Sequence, residues 1–213
     1  MIVFFYALAP GMRHLGSAST ILYQSSTLGI MAVGVALLMI GGEFDLSAGV
    51  AVITSALTAA MCAYQFGANV WTGIVIALLV SLGIGAFNGW MLVRTGLPSF
   101  LVTLGTFLML QGANLAITRL VTGNVATNDV SSLPGFDSAH AIFASSLTFA
   151  GAEISVSILW WLALVALGTW VLLRTRVGNW IFAAGGSAAS ARAVGVPTKS
   201  TKVGLFMAVG LCA

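Results

Sequence analysis

The sequence predicts an all-α protein, a polytopic bundle of transmembrane helices. Three observations carry this. Of the 213 residues, 59% are hydrophobic and only 6% are charged, against roughly a quarter charged in a soluble domain; so few charges cannot cover a globular surface in water. Apolar runs of about 20 residues recur, the length that crosses the hydrocarbon core of a bilayer. Between the runs stand Gly, Pro, Asn and Ser, the residues of turns and helix caps.

The runs follow in order. "MIVFFYALAP" gives about nine apolar residues before Pro10-Gly11, half a span, without the basic n-region or cleavage site of a signal peptide. It reads as a partial helix over 1–9. Spans are expected over Thr20–Ile40, Ser47–Phe66, Val70–Val93 and Leu97–Thr118. A polar stretch over 119–153, with Asp129, Pro134 and Asp137, reads as a loop. A further span covers Ile154–Leu173, a polar connection covers 174–202, and a last run, "VGLFMAVGLCA", is unfinished. Six to seven spans are expected in one transmembrane domain over 1–213, and both ends are expected to be truncated.

Basic residues in short loops mark the cytoplasmic side. Arg94 falls in one connection, and Arg174, Arg176, Arg192, Lys199 and Lys202 fall in another. An even number of crossings separates the two, so both are expected in the cytoplasm. The 119–153 loop is then external, and Arg13 is a minor exception. The net charge of +3 forms no basic stripe with interleaved aromatics, which gives nucleic-acid binding little support.

"MIGGEFDLSAGV", residues 39–50, places two of the chain's five acids at the seam between two spans. Gly41 and Gly42 suit a turn, and Asp45 or Ser47 can cap the next helix, where a negative charge also suits the helix dipole. Glu43 has no capping role of that kind and is a candidate for a partner contact or a gate. Gly85 and Gly89 form a G-x-x-x-G pair beside Asn88; Gly29 and Gly34, then Gly105 and Gly112, repeat the small-residue theme. Such residues let helix backbones approach closely. Asn88, Gln111 and Asn114 lie within apolar runs, where polar groups either bond between helices or face a watery path. Cys62 and Cys212 also lie in apolar runs and read as small packing residues.

"RTRVGNWIFAAGGSAASARAVGVPTKSTK" is the most telling connection. Its "NWIFAAGG" is too short to span. Ser187 is a plausible N-cap, Ala188, Ala189 and Ala191 favour helix, and Gly195 before Pro197 stops it. Only Arg192 gives this short helix a charge. A small-residue helix is a poor catalytic element and a good peg for a partner's groove; the plainer alternative is a simple connector. There is no G-x-x-x-x-G-K-[ST] loop, so ATP-driven work must come from a partner. No H-E-x-x-H pair, G-x-S-x-G elbow or Cys/His cluster occurs, and His14 and His140 are solitary. The chain is expected to be no enzyme and to carry no cofactor.

Three segments carry a resemblance. "GGEFDLSAG" resembles the G-G-x-x-D-L-S-x-G motif of the sugar-type ABC importer permeases, the ribose and monosaccharide group. "FNGWMLVRTGLPSFLVTLGTFLMLQG" and "RVGNWIFAAGGSAASARAVGVPTKSTKV" resemble two further segments of that family, in the family's order. The resemblance implies a bacterial inner-membrane permease that imports a monosaccharide by alternating access. It implies as partners a second permease subunit, identical or not, a cytoplasmic ABC ATPase, a periplasmic sugar-binding protein and the surrounding lipid. Ser187 to Val196 would be the coupling helix seated in the ATPase, and Gly41 to Gly49 would lie near the translocation path or its cytoplasmic mouth. Ser187 and Ala188 depart from the family's commoner Asn and acid. Two alternatives stand beside this reading: an ion-coupled secondary transporter of a small polar solute with Glu43 or Asp45 as relay, and a membrane scaffold.

Overall fold

The computed structural model describes residues 15–65, 67, 69–149 and 152–213. Among these, helices α1 (Leu15–Ile40), α2 (Ala48–Gln65), α3 (Val70–Thr95) and α4 (Ser99–Thr122) precede a short α5 (Phe136–Phe143) and a hairpin of β1 (Ser146–Phe149) and β2 (Ala152–Ser155). Then come α6 (Val156–Arg174), α7 (Arg176–Gly186), α8 (Ala188–Ala193) and α9 (Thr198–Cys212).

Local chemistry sets the ends. Asn69 accepts the Trp71 N–H at 3.0 Å and starts α3. Gly96, at φ 69°, ends it with its N–H on the Leu92 carbonyl, a left-handed position that glycine takes without cost. Ser155 caps α6 in the same way as Asn69 caps α3.

Among the described residues, five helices, α1 to α4 and α6, are long and apolar enough to cross a membrane. The expected count of six to seven spans is not confirmed by them. The run at 1–9 lies outside the described residues. α9 has 15 residues, about 22 Å at 1.5 Å per residue, short of the roughly 30 Å hydrocarbon core. α9 also starts at Thr198, so Lys199 and Lys202 belong to its first turns and not to the preceding connection. Pro197 ends the connection with φ −78°, the value its ring fixes, and ψ 66°, outside the helical region, so α9 begins only at Thr198.

Polarity is distributed as lipid demands. Leu120, Met109 and Leu28 are 85%, 67% and 66% exposed, whereas Asn88, Thr103 and Ser26 are fully buried. The bundle therefore turns many large apolar side chains outward and holds a set of hydroxyls and the Asn88 amide within, where such groups can bond between helices.

Small residues set the helix contacts. α3 and α9 run antiparallel. A Cβ on Gly85 would collide with the Phe206 carbonyl, one on Gly89 would stand 2.7 Å from the Val203 Cα, and one on Gly210 would strike the Ser81 carbonyl. α1 and α6 run parallel, with Ser26 hydrogen-bonded to Ser157 at 2.9 Å and Gly29 filled by the Trp161 indole. Gly105 and Gly112 do not follow the theme: a Cβ on either would meet nothing within 4 Å. They lie on the face of α4 turned away from the other helices of this chain.

The 119–153 stretch is more ordered than a loop. α4 runs on to Thr122, and α5 and the hairpin follow, so the all-α expectation acquires a small β element. Short strands can pair there because the stretch lies at the polar end of the bundle. α5 seals that end: the Val70 N–H donates to the Pro134 carbonyl at 3.0 Å, Trp71 Nε1 to Ser138 Oγ at 2.9 Å, and Trp160 Nε1 to the Ile142 carbonyl at 3.0 Å. At the opposite end, Leu38, Leu92, Ile181, Leu205, Phe206 and Val209 form a buried apolar cluster where α1, α3, α7 and α9 meet.

Candidate functional site

The turn between α1 and α2 sits on that cluster. Gly42 takes φ 81°, which lets the chain reverse beside α7. A Cβ on Gly42 would stand 3.2 Å from the Gly185 Cα, and one on Gly185 would collide with the Ile40 carbonyl. Leu205 of α9 likewise occupies the space beside Gly41. Two glycines from distant parts of the chain thus bring the turn and the end of α7 into backbone contact.

Beyond Gly42, Glu43 forms an ion pair with Lys202 on α9. Among the described residues it is the only salt bridge. The Phe44 N–H donates to Ser99 Oγ at 3.1 Å and the Leu46 N–H to Thr103 Oγ1 at 3.1 Å, which fastens the turn to α4.

Asp45 organises the start of α2. Its Oδ1 accepts from the Ser47 N–H at 2.8 Å and from Ser47 Oγ at 2.6 Å. Ser47 Oγ accepts in turn from Asn88 Nδ2 at 2.9 Å, and Asn88 Oδ1 accepts from Thr106 Oγ1 at 2.6 Å. The chain Asp45–Ser47–Asn88–Thr106 therefore joins α2, α3 and α4, and all four are buried. Burial pushes the Asp45 carboxyl above its ordinary 3.8, against the opposing pull of the hydrogen bonds from Ser47, Asn88 and the Ala48 backbone.

The segment expected between 187 and 196 forms α8. Ser187 Oγ accepts the Ser190 N–H at 3.3 Å, and Gly195 at φ 84° closes the turn that follows. Ala191 is buried against the body, while Ala189, Ser190, Arg192 and Gly195 are exposed and Ala188 is partly so. Val194, an apolar residue 80% exposed, stands beside them. A surface cavity of about 360 Å³ joins Glu43, Lys202, Arg192 and Lys199 to Gly96 and Pro98 of the α3–α4 turn. Gly85, Asn88 and Gly89 hold the α3 side of this assembly, as described above. Gln111 and Asn114 are separate from it, farther along α4, and line a second cavity against α2. Among the described residues no three His, Cys, Asp or Glu side chains cluster closely enough to hold a metal ion.

Sequence reasoning missed five participants: Lys202, Gly185, Ser99, Thr103 and Thr106. Lys202 and Gly185 carry no local sign of their partners. Thr103 and Thr106 do carry one: with Ser99 they form a polar stripe at four- and three-residue spacing on α4, the period of one helix face.

Comparison with known proteins places this architecture. The family described as branched-chain amino acid transport system / permease component matches residues 17–213. The Inner membrane ABC transporter permease protein YjfF of Escherichia coli K12 is 29% identical over 201 residues, 93% of this chain and 57% of that protein. The Ribose import permease protein RbsC of the same strain is 29% identical over 217 residues, 100% of this chain and 63% of that protein. The Galactose/methyl galactoside import permease protein MglC, also from that strain, is 32% identical over 200 residues, 88% of this chain and 57% of that protein. The chain thus spans about three fifths of the length of these curated relatives. No solved structure matches it. With a family match running from α1 through α9, the chain belongs to the branched-chain amino acid transport system permease components.

Proposed function

We propose that the chain is the membrane-spanning permease part of an ABC importer, which moves a monosaccharide across the bacterial inner membrane by alternating access. It performs no catalysis of its own. A cytoplasmic ATPase seats on α8, a periplasmic binding protein delivers the solute to the α5 end, and a second permease subunit completes the path. The names of the ribose and galactose permeases support the cargo.

One observation carries the reading: the end of α7 that precedes α8 is in backbone contact with the Gly41–Gly42 turn, and the same turn is ion-paired to α9 through Glu43 and Lys202. A force applied at α8 therefore reaches α1, α2 and α9 through a contiguous contact path, which coupling between a motor and a gate needs. An ion-coupled carrier is not favoured, since Glu43 is paired and Asp45 is bonded at a helix end.

Deleting residues 187–196 tests the docking role. Co-purification of the ATPase should be lost while the chain still inserts in the membrane. Normal recovery of the ATPase with the deletion variant would count against it.

A further inference from the structure

Farther along α4, Gln111, Asn114 and Thr118 line a cavity of about 350 Å³ between α4 and α2, on a face turned by roughly 90° from Ser99, Thr103 and Thr106 at 3.6 residues per turn. The Ser99–Thr103–Thr106 stripe is satisfied: Ser99 and Thr103 accept from the Phe44 and Leu46 N–H groups, and Thr106 donates to Asn88. The second polar group is not. Thr118 is 1% exposed, and its Oγ1, with Asn114 Nδ2, has no hydrogen-bond partner. Among the described residues these are the only two buried side-chain polar atoms left so. An unpaired buried polar group is costly, and native proteins keep few without a reason.

We infer that this α2–α4 groove is a hydrogen-bonding station for an uncharged, polyhydroxylated solute, with Thr118, Asn114 and Gln111 as its contacts. Its chemistry is complementary to such a solute. A hydroxyl both donates and accepts, and an amide offers both roles, so the three side chains can bond to sugar hydroxyls in either sense. Phe107, Ile53 and Leu57 supply apolar walls for the C–H faces of a ring. The volume lies in the roughly 300–1,000 Å³ range of small-molecule pockets. No charged side chain lines the groove. A free amino acid would bring an ammonium and a carboxylate that nothing there can pair, and such burial is strongly unfavourable. The groove therefore separates sugar cargo from the amino-acid cargo in the family's description. This inference rests on the permease reading.

The test is uptake of radiolabelled ribose, galactose and leucine by the assembled transporter in proteoliposomes, with ATPase retention measured on the same preparations. Thr118→Val and Asn114→Leu should each slow sugar uptake about fivefold or more, the scale of one lost hydrogen bond. ATPase retention should be unchanged. Thr118→Ser, which keeps the hydroxyl, should restore uptake. Sugar uptake unaffected by both apolar variants would overturn the station and leave the permease reading intact. Leucine uptake without sugar uptake by the unmodified transporter would overturn the station and the monosaccharide cargo together. Loss of subunit pairing or of the ATPase in both variants would make the groove a packing contact, and would also overturn the station.

Discussion

Glu43 and Asp45 stand two residues apart and have different tasks. Glu43 ties the turn to Lys202, with side chains 10% and 21% exposed; removing either partner would strand the other charge. Asp45 holds the start of α2 and anchors the Ser47–Asn88–Thr106 chain. Burial raises its folded pKa above 3.8, so the folded state holds the proton more tightly than the unfolded chain does. The stability this contributes is fully present below 3.8 and is lost as pH rises through the folded value. Asp45→Asn keeps an Oδ1 acceptor for Ser47 and removes the titration. Thermal unfolding in detergent should show the unmodified protein losing stability as pH rises above 3.8, and Asp45→Asn losing less. Equal slopes would show that this carboxyl is not desolvated. The need for a cap at this seam was legible, since an Asp and a Ser immediately precede an apolar run. Lys202 was not legible as a partner, because 159 residues separate it from Glu43 and no local pattern spans that distance.

At the scale of elements, α3 and α9 depend on absent side chains. The atoms beside Gly85 are the Phe206 backbone and the Met207 Cα, which cannot swing aside as a flexible side chain would. Gly85→Val should therefore lower stability by at least about 1–3 kcal/mol, the usual cost of overpacking, read as a fall in the thermal midpoint. Gly105→Ala and Gly112→Ala, where a Cβ meets nothing within 4 Å, should leave the midpoint unchanged or raise it, since Ala favours helix by about 1 kcal/mol over Gly. A Gly85→Val midpoint matching the unmodified protein would refute the close α3–α9 approach. The sequence showed that small residues recur at helical spacing on α3 and on α4. It could not show which glycine face meets a neighbour, because spacing reports that residues share a face and not what lies opposite. The helices themselves were legible from length and caps. The α5 and hairpin elements were hidden, being short and set in polar sequence with little periodicity.

At the scale of the whole molecule, the two ends of the bundle are chemically distinct. One is sealed by α5 and by the indoles of Trp71 and Trp160. The other gathers Arg192, Lys199, Lys202 and Glu43 around one cavity, next to α8. The charge asymmetry was legible, because the basic loops are separated by an even number of crossings. The contact that joins α7 to the Gly41–Gly42 turn was not, because glycine carries no side chain to advertise a partner. The central claim is that α8 receives the driving force on the cytoplasmic face. Its most direct test places a cysteine at exposed Ala189, in a background with Cys62 and Cys212 replaced, and applies a membrane-impermeant maleimide. Labelling is expected in inverted vesicles and not in intact spheroplasts, with protection when the ATPase is bound. Labelling in intact spheroplasts would put α8 on the periplasmic face, beyond the reach of any ATPase, and would contradict the claim.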